Sequence, residues 1–179
     1  MMDFPLAGGH PRAPTEVTFA HRSRLVARTW WILGAMGERS VSVSRIIDAS
    51  PEEIFAVLAD PRRHPEIDGS GSVRDSIEGP DELELGSKFR MDMKLGVPYK
   101  MWSTVVEYEK DRLIAWAHLG KHRWRYELTP VEGGTEVTET FDWSTAVFPK
   151  GIEWMGYPAK HPASMEKTLE RLDQVVTGG

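Results

Sequence analysis

Six strand-like segments separated only by turns constrain the fold of this chain more than any other feature of its sequence. The segments cover residues 72–78, 87–95, 99–108, 112–118, 122–129 and 135–144, and Gly, Pro or Asp residues lie in the turns between them. Connections this short cannot hold the crossover helices that parallel strands require. Neighbouring segments should therefore pair as antiparallel strands of one sheet.

A further strand and a short helix precede this series. Residues 41–47 alternate between apolar and polar side chains, as a half-buried strand does. Ser50, Pro51 and Glu53 then supply an N-cap, a proline in the first helical turn and a capping-box glutamate. These signals predict a helix over about residues 51–59.

Two more helices complete the pattern. Asp60 and Pro61 repeat the cap-and-proline signal and start a second short helix, which the glycines within residues 69–71 end. After Pro162, apolar side chains recur at helical spacing at Met165, Leu169, Leu172 and Val176. The last segment should therefore be an amphipathic helix whose apolar stripe faces the sheet.

Composition limits the classes of function. The chain has 179 residues, enough for one domain, and a formal net charge of −5, which disfavours a protein that neutralises nucleic-acid phosphates. It has no cysteine, so disulfides, thiolate nucleophiles and cysteine zinc sites are excluded. We expect a soluble protein of the reducing cytoplasm that needs neither a cofactor nor a metal and does not bind nucleic acid.

Residues 1–38 differ from the rest of the chain. They contain four arginines and three acidic residues, a net charge of +1, which leaves −6 for residues 39–179. Their apolar run at residues 29–33 is too short to span a bilayer, so no integral membrane segment is expected. We predict that residues 1–38 are a loosely ordered or short helical extension and that residues 39–179 form the folded domain.

Apolar side chains share one face of several predicted strands. In residues 87–95, for example, Phe89, Met91 and Met93 alternate with charged residues. Methionines and aromatic rings on a concave sheet provide the large, adaptable surface of an apolar pocket, although ordinary core packing would give the same pattern. The predicted ligand-binding residues are Met91, Met93, Trp116, His118, Trp124, Tyr126, Glu139, Phe141, Trp143, Trp154, Met165 and Leu169.

Two charged residues fall on these apolar faces. Arg45 shares its face with Val43, and Glu139 shares its face with Val137 and Phe141. A buried carboxylate is costly unless it is paired, so Arg45 and Glu139 are predicted to form a structural ion pair if the first and last strands are neighbours in the sheet. Alternatively, Glu139 would accept a hydrogen bond from a ligand hydroxyl or act as a general base.

Histidines are the other candidates for chemistry. His64 and Asp68 are four residues apart, a spacing that predicts a pair on one helical face, but no third residue completes a metal site. His118 and His122 flank a tight turn with the same parity. The candidate catalytic residues are Glu139, His118 and Tyr126, without an assigned reaction.

The order of strand, two short helices, six antiparallel strands and long helix resembles the START-like superfamily, which includes the birch-pollen-allergen-like proteins. Within it, the chain resembles the SRPBCC or polyketide cyclase/dehydrase branch. The resemblance is carried by residues 41–47, 49–55, 58–61, 107–116 and 133–139. It implies an α+β helix-grip fold, in which a curved seven-stranded antiparallel sheet surrounds a long C-terminal helix, with two short helices between strands 1 and 2.

The resemblance also implies the class of ligand. Such proteins hold lipids, polyketides, hormones or quinones between the sheet and the long helix, and only some are enzymes. We therefore expect binding or transport of a small hydrophobic or aromatic molecule of the lipid, polyketide or quinone type. A polyketide cyclase or aromatase that uses Glu139 as acid or base is the first alternative, and a protein-interaction module is the second.

Overall fold

The structure is a computed structural model that describes residues 39–178. The predicted extension, residues 1–38, lies outside these residues. Seven strands form one antiparallel sheet in the order β1-β7-β6-β5-β4-β3-β2, so the first and last strands are neighbours. The strands are β1 (Ser40–Ile47), β2 (Val73–Glu78), β3 (Lys88–Leu95), β4 (Val97–Glu109), β5 (Leu113–His118), β6 (Arg123–Val131) and β7 (Gly134–Asp142).

Two short helices connect β1 to β2, as predicted. Helix α1 (Pro51–Ala59) begins with a complete capping box, in which Ser50 and Glu53 exchange backbone and side-chain hydrogen bonds of 2.9 and 3.3 Å. A short 3₁₀ turn, Pro61–Arg63, then runs into α2 (His64–Ile67). The cap-and-proline signals in the sequence therefore mark real helix starts.

The C-terminal helix begins earlier than the sequence indicated. Helix α3 (Pro149–Trp154) is followed by Gly156, whose left-handed φ of 70° separates it from α4 (Tyr157–Thr177). Pro162 lies inside α4 rather than before it. A proline this close to the helix start removes a single backbone hydrogen bond, and packing against the sheet outweighs that loss.

Helix α4 crosses the sheet and buries one face against it. Met165, Leu169 and Leu172 are almost fully buried, together with the inward-facing residues of β1 and β7. The outward face of the sheet is polar, and Glu107 lies there between Arg123 and Arg125, with N–O distances of 2.9 and 3.2 Å. The architecture is thus the helix-grip α+β fold. Among residues 39–178, no helix combines the length and apolar character needed to cross a bilayer.

The loop after α2 packs closely against α4. The backbone N–H of Gly69 donates to Thr168 Oγ1 at 3.0 Å. A Cβ atom at position 69 would lie 2.8 Å from the carbonyl carbon of Lys167, and closer still to Ser164 O and Thr168 N. Only glycine therefore allows this approach between the loop and the helix.

Candidate functional site

A cavity of about 530 Å³ lies between the inward face of the sheet and α4. The sheet supplies most of its wall, α4 supplies a stripe at helical spacing, and the loop after α2 and the segment around α3 close its ends. The α4 stripe consists of Tyr157, His161, Ser164, Met165 and Thr168. Among residues 39–178, those that line this cavity include no lysine or arginine.

Aromatic rings pack against one another along the wall. Trp116 stacks on His64 on one side and on Tyr126 on the other, with ring centroids 4.9 and 5.4 Å apart. Phe141 packs against Trp124 at 5.0 Å and against His161 of α4 at 4.4 Å. Because the rings hold one another, the wall offers a largely preformed apolar surface to a ligand.

Glu139 is a buried acidic residue in this wall. It is 2% exposed, and its Oε1 accepts a hydrogen bond of 2.9 Å from the hydroxyl of Tyr126. Its Oε2 is buried and has no hydrogen-bond partner among residues 39–178. Burial raises the pKa of Glu139 to about 8, because desolvation disfavours the carboxylate more than the Tyr126 hydrogen bond favours it.

The predicted ion pair between Arg45 and Glu139 is wrong. Arg45 donates from Nε and Nη2 to Asp173 Oδ2 of α4, at 2.8 and 2.6 Å. The strand register places Val43 opposite Glu139 and Arg45 opposite Val137. Arg45 is therefore two residues nearer the C-terminal end of β1 than the position opposite Glu139, and there it meets a carboxylate of α4.

Comparison with known proteins agrees with this geometry. A family model described as polyketide cyclase/dehydrase and lipid transport matches residues 38–177. The chain belongs to this family.

A relative in Mycobacterium tuberculosis shares much of this sequence. The uncharacterized protein Rv0088 is 42% identical over 149 residues, which cover 79% of this chain and 66% of that protein. The chain thus matches slightly less than two thirds of its relative's length.

Solved structures share the fold of this family member. A Rhodobacter sphaeroides protein superposes with a TM-score of 0.64 at 22% identity, over 84% of this chain and 99% of that one. An AHSA1-like protein from Aeromonas hydrophila superposes with a TM-score of 0.58 at 17% identity, over 78% of this chain and 92% of that one. At these identities the likeness concerns the fold.

The structure brings most of the predicted site residues together at the cavity. Those that line it are Met91, Met93, Trp116, His118, Trp124, Tyr126, Glu139, Phe141 and Met165. Three others do not line it. Trp143 stacks on Phe141, and its indole N–H donates to Glu153. Leu169 is fully buried in the core, and Trp154 is 89% exposed. Trp154 points away because α3 turns Ile152 and Met155, three residues apart, to the cavity instead.

Sequence reasoning missed several lining residues. His161 and Tyr157 were missed because the helix was expected to begin after Pro162, whereas α4 already includes both. Met101 and Ser103 also line the cavity, and their alternation along β4 was a signal that could have identified them.

The predicted pairing of His64 with Asp68 is also wrong. Nε2 of the buried His64 lies 2.9 Å from the carbonyl oxygen of Leu58. The Asp68 carboxylate accepts instead from the backbone N–H groups of Ser70 and Val73, at 3.0 and 2.8 Å. Within residues 39–178, no cluster of three or more His, Cys, Asp or Glu side chains is arranged to hold a metal ion.

Histidines line the cavity as neutral imidazoles. Nδ1 of His118 lies 2.9 Å from Ser103 Oγ, and its ring is 5.0 Å from that of His122. Burial lowers the pKa of His118 to about 3 and that of His161 to about 4, in each case with a smaller contribution from His122. At neutral pH these rings therefore add polarity to the cavity without adding charge.

His118 should make the fold sensitive to acid. Its pKa is about 3 in the folded chain and near 6.5 when exposed, so its contribution to stability is complete above pH 6.5 and is lost as the pH falls. This group alone should lower the free energy of unfolding by about 2 kcal/mol between pH 7 and pH 5. Urea denaturation of wild type and His118→Gln at both pH values measures the effect.

His118→Gln should lose less stability than wild type between pH 7 and pH 5. Lys121→Gln, an exposed change in the adjoining turn, is the control and should follow wild type. Equal losses in His118→Gln and wild type would contradict the assignment.

Proposed function

We propose that this protein binds or carries a small hydrophobic or aromatic molecule of the lipid, polyketide or quinone type in the cavity between the sheet and α4. The observation that carries the proposal is the cavity itself, about 530 Å³ in volume and walled by stacked aromatic rings and methionines. Ligand pockets typically measure roughly 300–1,000 Å³ and are mostly apolar, with a few placed polar groups. Family membership supports the same class of ligand.

The proposed route into the cavity passes α3. Val147, Phe148 and Met155 line the cavity, yet they are 71%, 70% and 45% exposed, so they lie where the cavity meets solvent. Gly156, with its left-handed backbone, separates this segment from α4. We propose that residues 147–156 act as a lid, with Phe148 and Met155 rather than Trp154 in contact with the passing ligand.

A catalytic role is the second candidate, and the Tyr126–Glu139 pair favours it. Both groups are buried in the cavity wall, and the pKa of Glu139, about 8, lies close to neutrality. A carboxyl group with such a pKa is suited to donating or accepting a proton at physiological pH. A cyclase or aromatase would use it on a carbonyl or enol of a folded polyketide.

Titration with fluorene, a rigid aromatic hydrocarbon, tests the binding function. Trp116 and Trp124 line the cavity, so their fluorescence should change on binding, and calorimetry should give the affinity. Met93→Trp should reduce the affinity at least about tenfold, because the larger ring occupies the cavity. Val131→Trp, on a side chain 36% exposed at the end of β6, is the matched control and should bind as wild type does.

Two outcomes would contradict the proposal. One is a folded wild-type protein that binds neither fluorene nor extracted cellular lipids. The other is equal fluorene binding by wild type and Met93→Trp, which would place the hydrocarbon outside the cavity.

A further inference from the structure

The carboxyl group of Glu139 is held in one orientation. Oε1 accepts the hydroxyl hydrogen of Tyr126 at 2.9 Å, and the opposite residue across the β1–β7 pair is Val43, which offers no polar side chain. Oε2 is buried, and none of the residues that the structure describes forms a hydrogen bond with it, although Glu139 lines the cavity. A polar group of a ligand in the cavity would therefore supply the hydrogen bond that Oε2 lacks.

Within the described part of the chain, no positively charged side chain pairs with Glu139. Arg45, on the same face of the neighbouring strand, is engaged by Asp173, and none of the described residues that line the cavity is a lysine or arginine. The charged or titratable groups that share the cavity with Glu139 are Tyr126 on β6, Asp68 after α2, Tyr99 on β4, and Tyr157 and the imidazoles His64, His118, His122 and His161. Asp68 adds a negative charge, which further disfavours ionisation of Glu139.

A neutral carboxyl group carries its proton on one of its two oxygens. Because Oε1 already accepts the hydrogen of Tyr126, the proton belongs on Oε2. Oε2 then presents an O–H donor to the cavity rather than an acceptor. This reverses the polarity of the sequence-based expectation, in which Glu139 accepts a hydrogen bond from a ligand hydroxyl.

We infer that the ligand carries a carbonyl oxygen, as ketones, quinones and esters do, and that this oxygen accepts a hydrogen bond from Oε2 of protonated Glu139. The inference rests on the proposed binding function and specifies the ligand class. Surrounding rings supply the apolar contacts, since Trp116 stacks on Tyr126 beside the carboxyl group. One buried donor in an apolar cavity selects ligands strongly, because a ligand without an acceptor leaves that donor unpaired.

Glutamine at position 139 mimics the protonated acid. Its amide oxygen can accept from Tyr126 as Oε1 does, and this orientation directs its NH₂ donor to the cavity. Leucine has a similar size but neither donor nor acceptor. The two variants therefore distinguish a donor at Oε2 from an acceptor.

The test compares 9-fluorenone, which has a ketone oxygen, with fluorene, which has none. At pH 6, the ratio of the affinity for fluorenone to the affinity for fluorene should be about five- to tenfold larger in wild type than in Glu139→Leu. One net hydrogen bond usually contributes a gain of this size. Glu139→Gln should keep this preference. At pH 9 wild type should lose it as Glu139 ionises, whereas Glu139→Gln should retain it.

Two results would overturn the inference while leaving the binding function intact. If fluorene binds but the preference for fluorenone over fluorene is equal in Glu139→Leu and wild type, Glu139 does not contact the carbonyl oxygen. Loss of the preference in Glu139→Gln would show that the cavity needs an acceptor at this position. If wild type binds neither compound and no extracted cellular lipid either, the proposed function fails and the inference fails with it.

Discussion

The difference in the free energy of unfolding between Glu139→Gln and wild type should change by roughly 4 kcal/mol in favour of the variant as the pH rises from 4.5 to 8. Glu139 has a pKa of about 8 in the folded chain and near 4.5 when exposed, so the folded state holds a proton that the unfolded state releases. The stability that depends on this proton is complete below pH 4.5 and is lost as the pH rises towards 8. Glutamine cannot ionise and does not show this loss.

Urea denaturation of both proteins from pH 4.5 to pH 8 measures the difference directly. Subtracting the two profiles cancels the contribution of the histidines, which they share. Glu136→Gln, on the same strand with its side chain on the opposite face, is the matched control and should not show this gain. Parallel profiles for wild type and Glu139→Gln would show that Glu139 is ionised in the folded protein.

Gly69→Ala should destabilise the fold by about 3 kcal/mol, at the upper end of the usual cost of overpacking. The new methyl group would overlap the backbone of α4 at Ser164, Lys167 and Thr168, and backbone atoms in a helix cannot move aside singly. Either α4 shifts away from the loop or the hydrogen bond from the Gly69 N–H to Thr168 Oγ1 breaks. Thermal and urea denaturation measure the loss.

Gly120→Ala is the matched control for this substitution. A Cβ atom there would meet only the ring of His122, at 3.2 Å, and that side chain is able to adjust. Its effect should therefore stay below about 1 kcal/mol. Equal stability of Gly69→Ala and wild type would show that the loop and α4 do not approach as closely as described.

The sheet and most of its inward face could be predicted from the sequence because both depend on local patterns. Alternation along β3 identified Met91 and Met93, and alternation along β7 identified Glu139 and Phe141, since the side chains of a strand point to its two faces in turn. Turn residues located the strand ends, and short connections determined the antiparallel pairing.

The partners of inward-facing charges could not be predicted in the same way. Parity correctly placed Arg45 on the inner face, but it does not show which residue of α4 crosses above it, and Asp173 depends on the angle of that helix. The start of α4 was misjudged because Pro162 ordinarily ends a helix, whereas in the second turn of this one tertiary packing compensates for it. For the same reason, His161 and Tyr157 were not among the predicted ligand-binding residues.

The pairing of the first strand with the last affects how the protein is synthesised. Ser42 in β1 meets Thr140 in β7, 98 residues later in the chain. At roughly 5–20 residues per second, a ribosome needs about 5–20 seconds to make the intervening segment, and β1 has no partner in the sheet during that time. Contacts between such distant residues also slow folding, because a long loop must close before they form. The nascent chain therefore leaves the backbone edge of β1 unpaired until β7 emerges, and the apolar side of β1 stays uncovered until α4 follows.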